Sequence, residues 1–306
     1  MPQSYFPKGF KDGISINGIP LAITNPGLVY CVNSGAVLAP NGTVPSNTNG
    51  FGKTFAKPFS TIAYALTQCI AGRGDIILVA PGHVETIADA VTFQPVQGVT
   101  VIGLGKGTDR PTLTWSATTS TIPVSVANFS LFNFLTKVSI NSVAVCFTVT
   151  AANFLLDSVD YQLTASKSPI SYITTTASGT DMTIQNCHHY QDAAVAVTTW
   201  ISLVGANRAT IFNNYMAINA STAIIGGATT ASLDVLLDSN AFYNQTSTVA
   251  CVVMFAGSTG IAYCNSAGGA KTALAGNMGL ANLQGYQNFS SHTANKNGLL
   301  DPVVDA

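Results

Sequence analysis

The sequence predicts an all-β chain wound as a single-stranded, right-handed parallel β-helix, with a capping helix near its N-terminus and irregular segments at both ends. Three observations predict it. Short apolar strands recur through the middle of the chain at a near-constant spacing. Only 8% of residues are Asp, Glu, Lys or Arg, while 47% are apolar; the usual charged share is about 25%. One short amphipathic segment stands just upstream of the repeat. A helical protein needs charged outer faces, and this chain cannot supply them, since its only Glu is Glu85. Ser, Thr, Asn, Gly and Ala fill that space, which suits stacked strands with neutral outer surfaces.

The repeat is seen by aligning short apolar strands that end in Asn or Asp. "SLFN" ends at Asn133, "FLLD" at Asp157, "TIQN" at Asn186, "TIFN" at Asn213, "VLLD" at Asp238 and "AYCN" at Asn265, at intervals of 24, 29, 27, 25 and 27 residues. Upstream, "IILVA" ends at Ala80 and "VTVIG" at Gly103, with intervals of 23 and 30. Between most of these marks lies a second apolar segment, such as "VCFTVTAA", "ISYITTTAS" or "WISLVGAN", running into small polar residues that suit a turn. One period therefore holds two or three short strands. Such a coil cannot bury its own apolar face, but stacking on the next coil does so. Equivalent strands then pair in parallel, about 4.8 Å apart. Parallel crossovers are right-handed, and the leucine-rich register L-x-x-L-x-L is absent. The length accommodates roughly eight coils.

The Asn/Asp marks predict a ladder, with Asn133, Asp157, Asn186, Asn213, Asp238 and Asn265 stacked in one column and hydrogen-bonded along the axis. Two carboxylates at such a spacing would repel by roughly 3–4 kcal/mol at an effective dielectric near 20. The two Asp are never neighbours in the column, as stacking requires.

The ends of a solenoid must be covered. "PFSTIAYALTQCIAG", 58–72, reads as the N-terminal capping helix: Pro58 and Ser60 suit its start, Gly72 its stop, and Ile62, Ala65, Leu66 and Cys69 form one apolar face. The organisation expected is an arm and loops over 1–57, the helix over 58–72, the β-helix over 73–267, and a C-terminal tail or cap over 268–306.

Function classes narrow by exclusion. A net charge of −1 with no Lys/Arg stripe speaks against nucleic acid as a partner. No apolar run approaches a membrane span, and "MPQSYFPKGFKDG" has no apolar signal core, so synthesis and folding in a cytosol are expected. Six cysteines, at 31, 69, 146, 187, 251 and 264, form no CxxC pair and read as small buried apolar residues.

"MTIQNCHHYQD", 182–192, gathers Cys187, His188, His189 and Asp192. Adjacent His residues on a strand point to opposite faces and do not readily share one ion, so no metal site is expected. Asp160 and His189 fall at one offset in successive coils and would stack side by side, as a general acid/base couple or as a surface ion pair. Hydrolysis of a polysaccharide wants two carboxylates flanking one bond; Asp157 and Asp160 are the one close pair in the central coils. No cofactor site is expected. "GLGKGT", 103–108, departs from the phosphate-loop pattern and reads as a turn, and "RGD", 73–75, reads as a helix-to-strand turn.

"NGFGKTFAKPFSTIAYALTQCIAGRGDIILVAPGHVETI", 49–87, with "VTVIGLGKGTDRPTLTW", 99–115, and the closing "GLLDPVVDA", resembles pectin-lyase-like β-helix virion proteins of tailed bacteriophages. The resemblance covers 28–306 and implies the fold. For function it implies a non-enzymatic capsid decoration, or cement, protein: a homotrimer made in the host cytoplasm and seated on the outside of the major capsid protein shell. The alternative that it implies is a tailspike-type depolymerase or receptor-binding protein.

Overall fold

The computed structural model describes residues 15–16, 19–20, 27–35, 42–191, 195–246, 249–269, 282–290 and 298–300. They form a parallel β-solenoid, all-β with little helix, as the repeat predicts. In the central turns each coil contributes one strand to each of three sheets. Sheet 1 has ten strands, from Val29–Val32 to Gln284–Tyr286. Sheet 2 also has ten; Val84–Ile87 starts it, and after Asn288–Ser290 the strand Gly298–Leu300 closes it antiparallel. Sheet 3 has six, from Ile122–Val124 to Val252–Val253.

Alternation places one side chain inward and the next outward. On sheet 1 the inward row Ile77, Val101, Leu131, Leu156, Ile184 and Ile211 is fully buried. Each such side chain contributes about 1.5–3 kcal/mol relative to exposure. Aromatic rings pack inside the central coils: Tyr172 and Trp200 stack with centroids 4.7 Å apart and planes 5° apart. Register is fixed because a one-residue slip would turn this whole row outward.

The cap is a helix over Ile62–Gln68, shorter than 58–72. Phe59 is drawn instead into bridge pairing with Val32, its N–H donating to Cys31 O at 2.9 Å. Thr61, not Pro58 or Ser60, is the N-cap, and its hydroxyl accepts from Tyr64 N at 3.1 Å. The lone Glu completes the end. Glu85, in the first strand of sheet 2, accepts from Ile62 N at 3.0 Å and from Ala63 N at 3.2 Å, and meets His83 Nε2 at 2.9 Å. A buried carboxylate thus satisfies backbone donors that a helix start leaves open.

The stack runs past 73–267 at both ends. Val29–Val32 pairs with Ile76–Val79, and Gln284–Tyr286 and Asn288–Ser290 continue sheets 1 and 2. Within 1–27 the described residues include a short antiparallel pair, Ser15–Ile16 with Ile19–Pro20. The rest of that arm up to residue 26, and most of 268–306, lie outside the described residues.

Candidate interaction surface

The bend from sheet 1 to sheet 2 resolves the expected ladder into three adjacent columns. Strand pairing puts Asp157 opposite Phe132 and Gln185, and Asp238 opposite Phe212 and Tyr263, so both Asp end their strands. Asn133, Asn186 and Asn213 stand one position later, in the left-handed region at φ 60°, 56° and 52°, together with Ser158, Ser239, Cys264 and Gln287. Asn265 stands one position later again. The single column of six is therefore a correction: Asn, Asp and Ser all suit the left-handed bend or the position before it, so residue type alone does not fix register. An outer row survives in part. Asn213 Nδ2 donates to Asn186 Oδ1 at 2.8 Å, and Asn186 Nδ2 to Asp157 Oδ1 at 3.0 Å.

The buried ladder is the third column: Asn214, Asn240, Asn265 and Asn288. Each of the first three donates Nδ2–H to the next Oδ1 at 2.9 Å, and its backbone N–H to the same oxygen at 2.9–3.0 Å. Each amide also donates to a sheet 1 carbonyl, Ile184, Ile211, Leu237 and Ala262 in turn. The signal was present as x-Asn at spacings of 26, 25 and 23, but Asn213 beside Asn214 hid which Asn belonged to it.

The same one-residue offset separates Asp160 from His189. Asp160 lies opposite His188, whose N–H donates to Asp160 Oδ1 at 2.8 Å, while His189 lies opposite Tyr161 and faces inward, fully buried. Asp160 is instead ion-paired with Arg110, whose Nη1 also donates to Ser158 O at 3.1 Å. His189 Nδ1 accepts from Trp200 Nε1–H at 2.8 Å, which leaves Nε2–H to donate to Val159 O at 3.1 Å. This is the neutral tautomer, and burial pushes the imidazole down to about 4. His189 is a satisfied core residue, and the Asp160–His189 couple is not formed.

The other carboxylates of this region are also engaged. Asp157 accepts from Gln185, Asn186 and Ser158. In the "RGD" turn, burial alone would raise Asp75, but hydrogen bonds from Arg73, Ile70 and Leu28 outweigh it and hold the carboxyl below its ordinary range. "GLGKGT" runs into a single 3₁₀ turn, Gly107–Asp109. Among the described residues no cluster of His, Cys, Asp or Glu is placed to hold a metal, and no cysteine is in a disulfide. Burial pushes the Cys187 thiol up to about 12, so it stays protonated and inert.

What the outer surface does offer is aromatic. On sheet 2, Tyr190, Tyr215 and Tyr243 are 54%, 44% and 45% exposed. Tyr215 packs edge-on against His188 at 5.5 Å. Tyr190 and Tyr243 share one column with Ala217 between them, two rungs or about 9.6 Å apart. Across the bend, Phe212, Tyr263 and Tyr286 stand exposed on sheet 1. Inspection of the strands for chemistry missed these rings, although each "HHY", "NNY" and "AFY" triplet carried one. Near the cap, a cleft of about 600 Å³ opens between Leu28, Tyr30, Phe51, Lys53, Phe59 and Gln68.

No protein-family model matches the chain, and no curated protein matches it. Among solved structures, a rhamnogalacturonan lyase aligns over 86% of this chain and 87% of its own, at 12% identity and a TM-score of 0.45.

Proposed function

We propose that this chain is a structural protein of a bacteriophage virion, a decoration protein that sits as a trimer on the outside of the major capsid shell and bridges its subunits. One observation carries the reading: the one close carboxylate pair of the central coils, Asp157 and Asp160, is tied into the scaffold. Asp157 is held by its neighbours in the outer row, and Asp160 by Arg110 and the His188 N–H, so neither is poised across a groove as an acid or nucleophile. The chain as a whole is poor in charge, at 8% of residues, and carries exposed tyrosines, a composition that suits protein contact with few ions to desolvate. The phage source and the trimer rest on the resemblance of residues 49–115.

A second reading is favoured by the Tyr190–Tyr243 column. Two rings on one flat face could stack on an extended glycan, as a receptor-binding or depolymerising tailspike would. One experiment separates them. The purified chain is mixed with major-capsid shells assembled without it, and separately with a panel of capsular polysaccharides. Co-sedimentation with the shells, and a raised shell dissociation temperature, are expected. New reducing or unsaturated ends from a polysaccharide, lost in Asp160→Asn, would overturn the decoration reading.

A further inference from the structure

The charges of the central coils are not spread evenly around the solenoid. Lys137 and Asp160 lie on sheet 2, and Asp157 and Asp238 on sheet 1. Asp181, Arg208 and Asp234 fill the left-handed bend that leads into sheet 1. The six strands of sheet 3 contain no Asp, Glu, Lys, Arg or His: "IPV", "VAVCFTV", "PISYITT", "VTTWIS", "ASTAIIG" and "VV". The turns that follow, such as "TASGT" (176–180) and "LVGAN" (203–207), are also uncharged. The turns keep a low profile: a Cβ on Gly205 would meet Ala177 at 3.2 Å.

We infer that sheet 3 and its following turns form a self-association face, covered by a second copy of this chain. It rests on the preceding reading only in taking the chain to act as an oligomer. Charge chooses the occupant. In a trimer the face nearest the three-fold axis brings the same groups of all three copies together, and a charged face there carries its own repulsion. On sheet 1 such packing would bring the Asp157 and Asp238 column towards its own copy; on sheet 3 there is no charge to oppose. The outward residues are partly buried hydroxyls in register, Thr148, Thr174 and Ser202, beside the exposed Ala144 and Ile170. Ile170, Val253 and Phe255 leave 45%, 38% and 38% of their surface in water, which a partner would remove. The 32 strand residues of sheet 3, at a rise of about 3.3 Å and a spacing of about 4.8 Å, make a flat footprint of about 500 Å² before the turns are added, and a stable complex buries roughly 800 Å² of accessible surface per partner. Lys167, at the turn before sheet 3, marks the rim.

The experiment measures mass in solution by light scattering and sedimentation velocity, with no capsid present. The wild-type chain should run as a multiple of 31.6 kDa. Ile170→Lys with Thr174→Lys should bring the mass down to that of one chain, while Thr183→Lys, outward on sheet 1, should leave it unchanged. Far-UV circular dichroism verifies the fold. If the double variant misfolds, Thr198→Lys, a single exposed position on the same sheet, takes its place. A wild-type mass of one chain at every concentration would overturn the inference, as would a folded sheet 3 variant that keeps its oligomeric mass. So would a variant that loses shell binding with its mass unchanged, which assigns the face to the capsid. A monomer that still binds shells would remove the self-association face and leave the decoration reading standing.

Discussion

The bend between sheets 1 and 2 is built in two ways in one molecule. In the earlier coils its inward position holds Phe134, Val159 and Cys187, which fill space and make no amide ladder. In the later coils the equivalent position holds Asn214, Asn240, Asn265 and Asn288, each bonded to the next. Both solutions bury the corner. Packing tolerates variation in shape from coil to coil, because any apolar group of suitable volume removes water. The ladder tolerates none, because each amide is both donor and acceptor for its neighbours, and a missing one leaves partners unsatisfied in a dry interior.

The largest effect should come from the packed half. Phe134→Ala removes a fully buried ring and should cost about 3–5 kcal/mol, read from the denaturant midpoint. A loss under half of that would mean that the bend is held by its backbone pairing and not by the plug.

Acid should act on the same half. His189 sits two rungs from Phe134, neutral and buried, with its imidazole near 4 against an ordinary 6.5. The groups around it are Tyr172, Trp200, Asp160 and His188. Above about 6.5 neither the folded nor the unfolded chain holds the extra proton, and the contribution is complete. Between about 6.5 and 4 the unfolded chain takes up a proton that the folded chain refuses, so stability falls by about 3 kcal/mol across that window and levels off below it. Asp75, held below its ordinary range, loses its contribution only at lower pH, after its unfolded form begins to protonate. Denaturation midpoints from pH 7 to 4 for wild type and His189→Gln test this; a slope that persists unchanged in the variant would assign the acid sensitivity elsewhere.

Exchanging the two solutions sharpens the comparison. Asn240→Val copies Val159 into the ladder. It leaves Ile211 O and the Asn214 N–H without their partners, and should cost about 2–3 kcal/mol although the substitution is apolar in a buried site. If the variant matches wild type, the ladder is dispensable and the two halves are equivalent.

How much of this was legible depends on what the residues must do. The coil period could be read because inward rows such as Ile184 and Ile211 must recur at the same place in every turn. The cap could be read because Ile62, Ala65 and Leu66 share a helical face. The register of the bend could not. Asp157–Ser158 and Gln185–Asn186 are two ways of writing one strand end and one left-handed residue, and the sequence does not mark which polar residue occupies which. That single-residue uncertainty moved His189 from the core to the surface in the sequence reading, and with it the acid/base couple. The tyrosine rows were hidden for another reason: an aromatic on a strand is equally suited to either face until its neighbours' register is known.

The smallest effect addresses that left-handed column directly. Asn186 stands at φ 56° and carries two exposed amide bonds, to Asp157 and Asn213. Asn186→Ala loses both bonds and puts a less tolerant residue in the left-handed region, at about 1 kcal/mol. Asn186→Gly loses the same two bonds but accepts the backbone freely. The difference between the two variants therefore isolates the backbone term, and Gly should lose less than Ala while still falling slightly below wild type in midpoint. Equal losses in both would mean that the exposed amide row, and not the turn conformation, is what the position supplies, and the outer column would then belong beside the buried one as a second structural ladder.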